Sequence, residues 1–316
     1  MQSSTNKILI SIVIPVFNEE ENITNAFEAI NSVITKMQDR YEYEFIFTDN
    51  HSTDSSYKIL ESLSFAHKNV KVLRFSRNFG YQKSYLTGLI HARGDAAIQI
   101  DCDLQDPPEL IPIFIEFWEK GNKVVYGIRK SRQENWLINI IRKLFYRIID
   151  ILSDDSQNKN VGDFKLIDRI IIDELKKSDD VQPYIRGMIN SMGFQQIGIP
   201  YNRQLRVKGE SKFKARDLIG LALDGILNHS IIPLRFATYI GLFVSLVTFI
   251  MATTTFFGKM IYGLNWAPGF ATTTILILLS LSLNALFLGI IGEYLGRIYK
   301  QLKRSPDTII EKKLNF

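Results

Sequence analysis

The chain has 316 residues, 46% of them hydrophobic and 22% charged, with a formal net charge of +5. This excludes a disordered or fibrous chain and allows one large domain with an appendage. The single cysteine, Cys102, excludes an internal disulfide, and the scattered His51, His67, His91 and His229 lack zinc-ligand spacing.

The opening MQSSTNKILI runs straight into an apolar segment and lacks the features of a signal peptide, so the soluble part is expected in the cytoplasm. Short apolar runs follow at 8–16, 45–48, 70–75, 97–100 and 124–126, and each reads as a strand. Amphipathic patterns over 20–37, 55–67 and 81–93 separate them and predict helices. Strands alternating with helices predict an α/β fold with a mostly parallel sheet, whose ligands bind beyond the carboxyl ends of the strands.

Further on, residues 136–152 and 214–234 are amphipathic and carry Arg142, Lys143, Arg147, Lys214 and Arg216. Such helices either pack on a core or lie on a membrane surface with their basic groups among the headgroups. Charge then nearly vanishes, and the apolar segments 236–258 and 271–292 are each long enough to span hydrocarbon. The link between them holds Trp266, Pro268 and Lys259, while Arg235, Arg297, Lys300, Lys303 and Arg304 flank the pair. The positive-inside rule therefore predicts a two-helix transmembrane hairpin over 235–299 with both termini cytoplasmic. The basic balance admits nucleic acid, anionic lipid or a phosphate-bearing substrate, and the apolar tail favours lipid over nucleic acid. Gly292 and Gly296 form a small-residue pair suited to packing helices or protomers.

The strongest local signal is Asp101-Cys102-Asp103-Leu104-Gln105-Asp106-Pro107-Pro108-Glu109, directly after the strand AIQI. In extended chain Asp101, Asp103 and Gln105 point to one side, a hard-oxygen set for Mg²⁺ or Mn²⁺. A bare Asp-x-Asp is more often a solvated acidic turn, so the surrounding motifs decide. They are Val13-Ile14-Pro15-Val16-Phe17-Asn18-Glu19-Glu20, Asp49-Asn50-His51-Ser52-Thr53-Asp54, Ser76-Arg77-Asn78-Phe79-Gly80, Tyr126-Gly127-Ile128-Arg129-Lys130-Ser131-Arg132, Gly162-Asp163-Phe164, Arg186-Gly187, Gly209-Glu210-Ser211-Lys212 and Gly292-Glu293-Tyr294-Leu295-Gly296-Arg297. In this order, over about 8–306, the set resembles the polyprenyl-phosphate glycosyltransferases of family 2, which have the GT-A fold.

The resemblance implies transfer of a sugar from a nucleotide sugar, UDP-glucose or another UDP-hexose, to polyprenyl (undecaprenyl) phosphate. Asp101, Asp103 and Gln105 would hold the metal. Pro15, Phe17, Glu19, Asp49, Asp101, Arg206 and Lys212 would bind the nucleotide sugar. Arg129, Ser131, Arg132 and Arg142 would bind the acceptor phosphate. Asp163, with Asp103 and Arg129, would act in catalysis. The implied organisation is a catalytic domain over 1–213, a juxtamembrane helix over 214–234, the hairpin over 235–299 and a basic cytoplasmic tail over 300–316. A homo-oligomer, such as a tetramer, is expected as well. Two departures stand out: His51 replaces a usual glycine, leaving Asn50 to take the positive φ of that turn, and Cys102 replaces a common alanine as a small buried hydrophobe.

Three other readings share parts of the pattern. A processive polysaccharide synthase would carry Gln-x-x-Arg-Trp and more spans, and neither is present. A transferase with a soluble acceptor would work without lipid. An inactive membrane adaptor would bind no nucleotide sugar.

Overall fold

The computed structural model describes residues 7–130, 161–178, 183–204, 232–262, 269–303 and 308–316. The central strand β1 (Ile8–Val16) is mostly β-branched and mostly buried, as expected of a strand covered on both faces. It pairs in parallel with β2 (Tyr41–Asp49) on one side and β4 (Ala96–Gln99) on the other, and β3 (Val70–Phe75) extends the parallel set beyond β2. β5 (Val124–Arg129), β6 (Val161–Asp168), β7 (Gln196–Tyr201) and β8 (Ile310–Leu314) complete an eight-stranded sheet of order β7-β5-β6-β4-β1-β2-β3-β8. β6 runs antiparallel to β4 and β5, and β8 runs antiparallel on the edge of β3. The sheet is the mostly parallel α/β architecture expected.

Helices cover both faces. On one lie α1 (Ile23–Ile34), α2 (Ser56–Ala66) and α4 (Ile111–Glu119); on the other, α3 (Tyr81–His91), α5 (Arg169–Lys176) and α6 (Ile185–Ser191). α1 shows why these segments are helical: Ile23, Phe27, Ile30 and Ile34 recur on one face, and all are buried. Phe27 meets Phe45 of β2 at 5.0 Å between ring centroids. Cys102 sits in this layer's core, as expected of a small hydrophobe.

One buried polar hub crosses the parallel strands. Glu44 accepts from Ser11 Oγ at 2.5 Å and from the Arg93 amide at 2.7 Å, and it pairs with Lys71 Nζ at 2.5 Å. Burial pushes its carboxyl up, but Lys71, Ser11 and the Arg93 amide outweigh that and hold it below the ordinary range. Beside it, a Cβ on Gly94 would lie 2.7 Å from three backbone atoms, so the chain enters β4 here only as glycine.

Three strands go beyond the expected set. β6 carries Asp163 and Lys165 in its interior, β7 holds Pro200, and β8 consists largely of exposed charge. The expected basic tail thus ends as an edge strand of the sheet. Its seat is specific: Asn315 Nδ2 donates to the carbonyls of Ser64 at 2.7 Å and Val70 at 2.8 Å, and Thr308 hydrogen-bonds Thr87.

β1–β8 and α1–α6 form one compact unit, and α7 (Ile232–Tyr262) and α8 (Phe270–Lys303) form another. Both expected apolar segments are helical, and both helices outrun the predicted 236–258 and 271–292. Among the described residues, Leu279–Tyr299 is long and apolar enough to cross a membrane, and Leu234–Val244 is a shorter apolar stretch. The amphipathic segment 136–152 and most of 214–234 lie outside the described residues.

Candidate active site

The carboxyl ends of β1, β2 and β4 lie side by side, and the predicted site residues follow them. Val16 pairs with Asp49 across the β1–β2 register. The two loops that leave these strands are laced together by small polar side chains. Ser52 Oγ accepts from the Asn18 amide at 2.9 Å, Ser56 Oγ accepts from the Glu19 amide at 2.8 Å, and Asn18 Oδ1 accepts from the Thr53 amide at 2.7 Å. This places Pro15, Phe17 and Glu19 beside Asp49. Glu19 itself accepts from Asn22 Nδ2 at 2.6 Å.

Asp49 is fully buried. Its Oδ1 accepts from the Ser52 amide at 3.0 Å. Its Oδ2 has no hydrogen-bond partner and lies 3.6 Å from an Arg74 guanidinium nitrogen. A buried carboxylate oxygen left with spare acceptor capacity suits a ligand N–H or O–H donor. The turn that follows corrects one expectation: His51, at φ +63°, takes the left-handed conformation, and Asn50 does not. His is among the residues that tolerate this region, and its Nδ1 lies 3.0 Å from the Phe75 carbonyl oxygen. Asn50 instead bridges to Asn78 Oδ1 at 2.9 Å and to the Phe79 amide at 2.9 Å, fixing the loop after β3.

Beyond β4 the chain turns tightly. Asp103 Oδ1 accepts from the Gln105 amide at 3.1 Å, closing an Asx turn, and Leu104 between them sits at φ +54°. A leucine in that region is strained by about 1–2 kcal/mol, so the surroundings must hold it. They do so from β7. Gln204 donates its amide to the Gln105 carbonyl at 2.9 Å. Buried Asp106 accepts from the Tyr201 hydroxyl and lies 3.5 Å from Arg129 and 3.7 Å from Arg203. Arg129 Nε also donates to the Tyr201 hydroxyl at 3.2 Å. A Cβ at Gly162 would lie 3.2 Å from Arg129 Nε, so glycine leaves room for this guanidinium.

Asp101 and Asp163 face one another electrostatically. Tyr81 donates to Asp101 Oδ1 at 2.7 Å and accepts from Gln99 Nε2 at 2.5 Å. Burial, then the neighbouring Asp163, Asp106 and Asp103, push the Asp101 carboxyl up to about 7, against the pull of Tyr81. Asp163 behaves in the opposite way. Burial would raise it, but Arg186 Nε at 2.9 Å and nearby Lys165 hold it below the ordinary carboxylate range. Lys165, two residues along β6, is buried and lowered to about 8 by that burial, with Asp163 countering.

The sequence expectations therefore divide three ways. Asp101, Asp103 and Gln105 share one turn with Asp163 beside it, and Asp49, Pro15, Phe17 and Glu19 line the adjoining strand ends. Arg129 stands on the same edge but is engaged by Asp106. Arg206, Lys212, Ser131, Arg132 and Arg142 lie outside the described residues. Residues the motifs left without a role are Tyr81, Asp106, Lys165, Arg186 and Tyr201. Alternation along β6 is a signal for Lys165, which shares a face with Asp163.

As a cation site, two carboxylates and an amide at a turn crowded with negative charge fit a hard divalent ion that keeps open positions for phosphate oxygens. Among the described residues, no group of three or more His, Cys, Asp or Glu side chains is placed to hold a metal ion.

Comparison with known proteins places this geometry in context. Residues 11–176 match the model of glycosyl transferase family 2. The SfII prophage-derived bactoprenol glucosyl transferase of Shigella flexneri is 36% identical over 96% of this chain and 97% of its own length. The prophage bactoprenol glucosyl transferase homolog of Escherichia coli K12 is 35% identical over 96% of this chain and 98% of its own. The uncharacterized glycosyltransferase YkcC of Bacillus subtilis is 36% identical over 96% of this chain. Among solved structures, the mannosyltransferase PcManGT of Pyrobaculum calidifontis, in complex with GDP-Man and Mn²⁺, shares the fold. It has a TM-score of 0.50 and 15% identity over 94% of this chain and 88% of that one.

Proposed function

This chain belongs to glycosyl transferase family 2 and is a glycosyltransferase; from that premise we propose that it transfers a sugar from a UDP-sugar, UDP-glucose first among them, to polyprenyl phosphate at the cytoplasmic face of a membrane. The observation that carries this reading is the buried, half-satisfied Asp49, across β1 from the Asp101–Asp103 turn, in a chain that matches bactoprenol glucosyl transferases over 96% of its length.

Asp49 Oδ2 accepts from the uracil N–H or a ribose hydroxyl, with Pro15, Phe17 and Glu19 alongside. Asp101, Asp103 and Gln105 are the residues that would hold Mg²⁺ or Mn²⁺. When bound, the ion offsets the negative charge that develops on the departing nucleoside diphosphate. Arg206 and Lys212 add positive charge to the same diphosphate. The acceptor phosphate is drawn by Arg129, Ser131, Arg132 and Arg142. One of its oxygens attacks the anomeric carbon, the bond to the diphosphate breaks, and the configuration inverts. A phosphate monoester is largely ionised at neutral pH, with a second pKa of about 6, so it needs little help from a base. Asp163, paired with Arg186, suits positioning the reactants better than taking a proton.

α7 and α8 act as the two spans that keep the enzyme beside its insoluble acceptor and raise the acceptor's effective concentration. Their 31 and 34 residues correspond to about 46 Å and 51 Å of helix, more than the ~30 Å of hydrocarbon. Phe236, Leu242, Phe243, Leu281, Leu288 and Leu295 are exposed along them, an apolar surface unsuited to water.

The test is the purified full chain in liposomes with undecaprenyl phosphate and a panel of UDP- and GDP-sugars, with Mg²⁺ or with EDTA. Mass spectrometry of the lipids should show one polyprenyl-phosphate sugar, lost in EDTA. Absence of any lipid product from folded protein would remove the polyprenyl acceptor. Turnover on a soluble acceptor, or failure to bind any donor, would then separate the remaining readings.

A further inference from the structure

The C-terminal strand touches the donor side of the site through one side chain. Arg74, on β3, lies between two carboxylates. One guanidinium nitrogen is 3.6 Å from Asp49 Oδ2, and its Nε donates to Glu311 Oε2 on β8 at 3.3 Å. The guanidinium carbon also sits 4.2 Å above the Tyr57 ring, and Lys312 Nζ approaches the same ring at 5.4 Å. Arg74 thus has three neighbours that fix its fork, and β8 provides one of them. The strand itself is held firmly, by antiparallel pairing with β3 and by the Asn315 side chain at three carbonyls. β8 begins at Ile310, shortly after α8 ends at Lys303, so the chain beyond the apolar helices joins the sheet at β3, the neighbour of Asp49's strand.

We propose that Glu311 is a positioning residue of the donor site: by clamping Arg74 against Asp49, the C-terminal strand sets how well the enzyme holds its nucleotide. This rests on the reading of Asp49 as the nucleotide-binding carboxylate. Among the described residues, Arg74 is the cation that lies close to the unbonded Asp49 oxygen. If Arg74 swings away, that oxygen loses its orientation and its compensating charge in a fully buried setting. Glu311 and Tyr57 prevent the swing. Glu311 is 46% exposed and Arg74 19%, so the coupling is modest and acts on orientation rather than on the survival of the fold.

The measurement is UDP affinity by titration calorimetry on the full chain in nanodiscs, with donor KM and kcat in the lipid assay. Glu311→Gln should weaken UDP binding roughly two- to fivefold, the range of a partly exposed ion pair, and raise donor KM with kcat unchanged. Arg74→Gln should cost more, and adding Glu311→Gln to it should cost nothing further, because the glutamate acts through the arginine. Lys313→Gln, on the same strand but away from Arg74, should change neither value, which separates positioning from loosening of the strand. Asp49→Asn tests the underlying reading. If it weakens UDP binding while Glu311→Gln leaves affinity intact, the clamp is wrong and the donor reading stands. If Asp49→Asn also leaves affinity intact, the donor reading falls and takes the clamp with it.

Discussion

The pairing of Asp163 with Arg186 at 2.9 Å bears on how the acceptor is activated. A carboxylate held below its usual range by Arg186 and Lys165 is a weak base. Asp163→Asn should therefore lower turnover by about 100-fold through lost orientation, with UDP affinity unchanged in titration calorimetry. The acid limb of the rate profile should not report Asp163 at pH 5–8, since the group stays ionised there. A second residue-scale prediction concerns Glu44. Its folded pKa is lowered from 4.5, so the stability it contributes is fully present above about pH 4.5 and is lost as pH falls through the lower folded value. Lys71→Met would leave that carboxylate buried without its cation. Such changes cost about 3–5 kcal/mol, readable in a denaturant titration followed by tryptophan fluorescence.

At the scale of elements, the Asp101–Asp106 turn is shaped less by its own residues than by β7. Tyr201 at the end of that strand meets Asp106, and Gln204 just past it meets the Gln105 carbonyl. Tyr201→Phe removes the hydroxyl shared by Asp106 and Arg129 and should cost about 1–2 kcal/mol of stability. It should also weaken metal-dependent turnover, seen as a higher Mg²⁺ requirement in the lipid assay. Gly94→Ala is the complementary test of the sheet: a methyl pressed against three backbone atoms should destabilise by at least about 1–3 kcal/mol.

For the whole molecule, the informative quantity is topology. The proposed two-span reading puts the link between α7 and α8 outside and both termini inside. In a Cys102→Ser background, Asn265→Cys should react with a membrane-impermeant maleimide added to intact cells. A cysteine at Ser4 should react only after permeabilisation. Protection of Asn265→Cys would overturn the two-span reading.

The central parallel strands were legible because buried parallel strands are continuous apolar runs, and β1, β3 and β4 appear at or near their predicted bounds. The apolar helices were legible as long stretches nearly free of charge, and Leu279–Tyr299 is long and apolar enough to cross a membrane. The carboxylates of the turn after β4 were legible because they lie within a few residues of one another in sequence. β6 and β8 were not legible: Asp163, Lys165 and the Glu311–Lys313 run are charged, and they become strand only through partners distant in the chain. The same holds for Arg186 on Asp163, Tyr201 on Asp106, and Arg74 between Asp49 and Glu311. Local pattern by itself determined the α/β class, the family and the carboxylates. Only the tertiary structure decided which cations hold those carboxylates, because such pairs form when the sheet is assembled and leave no periodicity in the sequence.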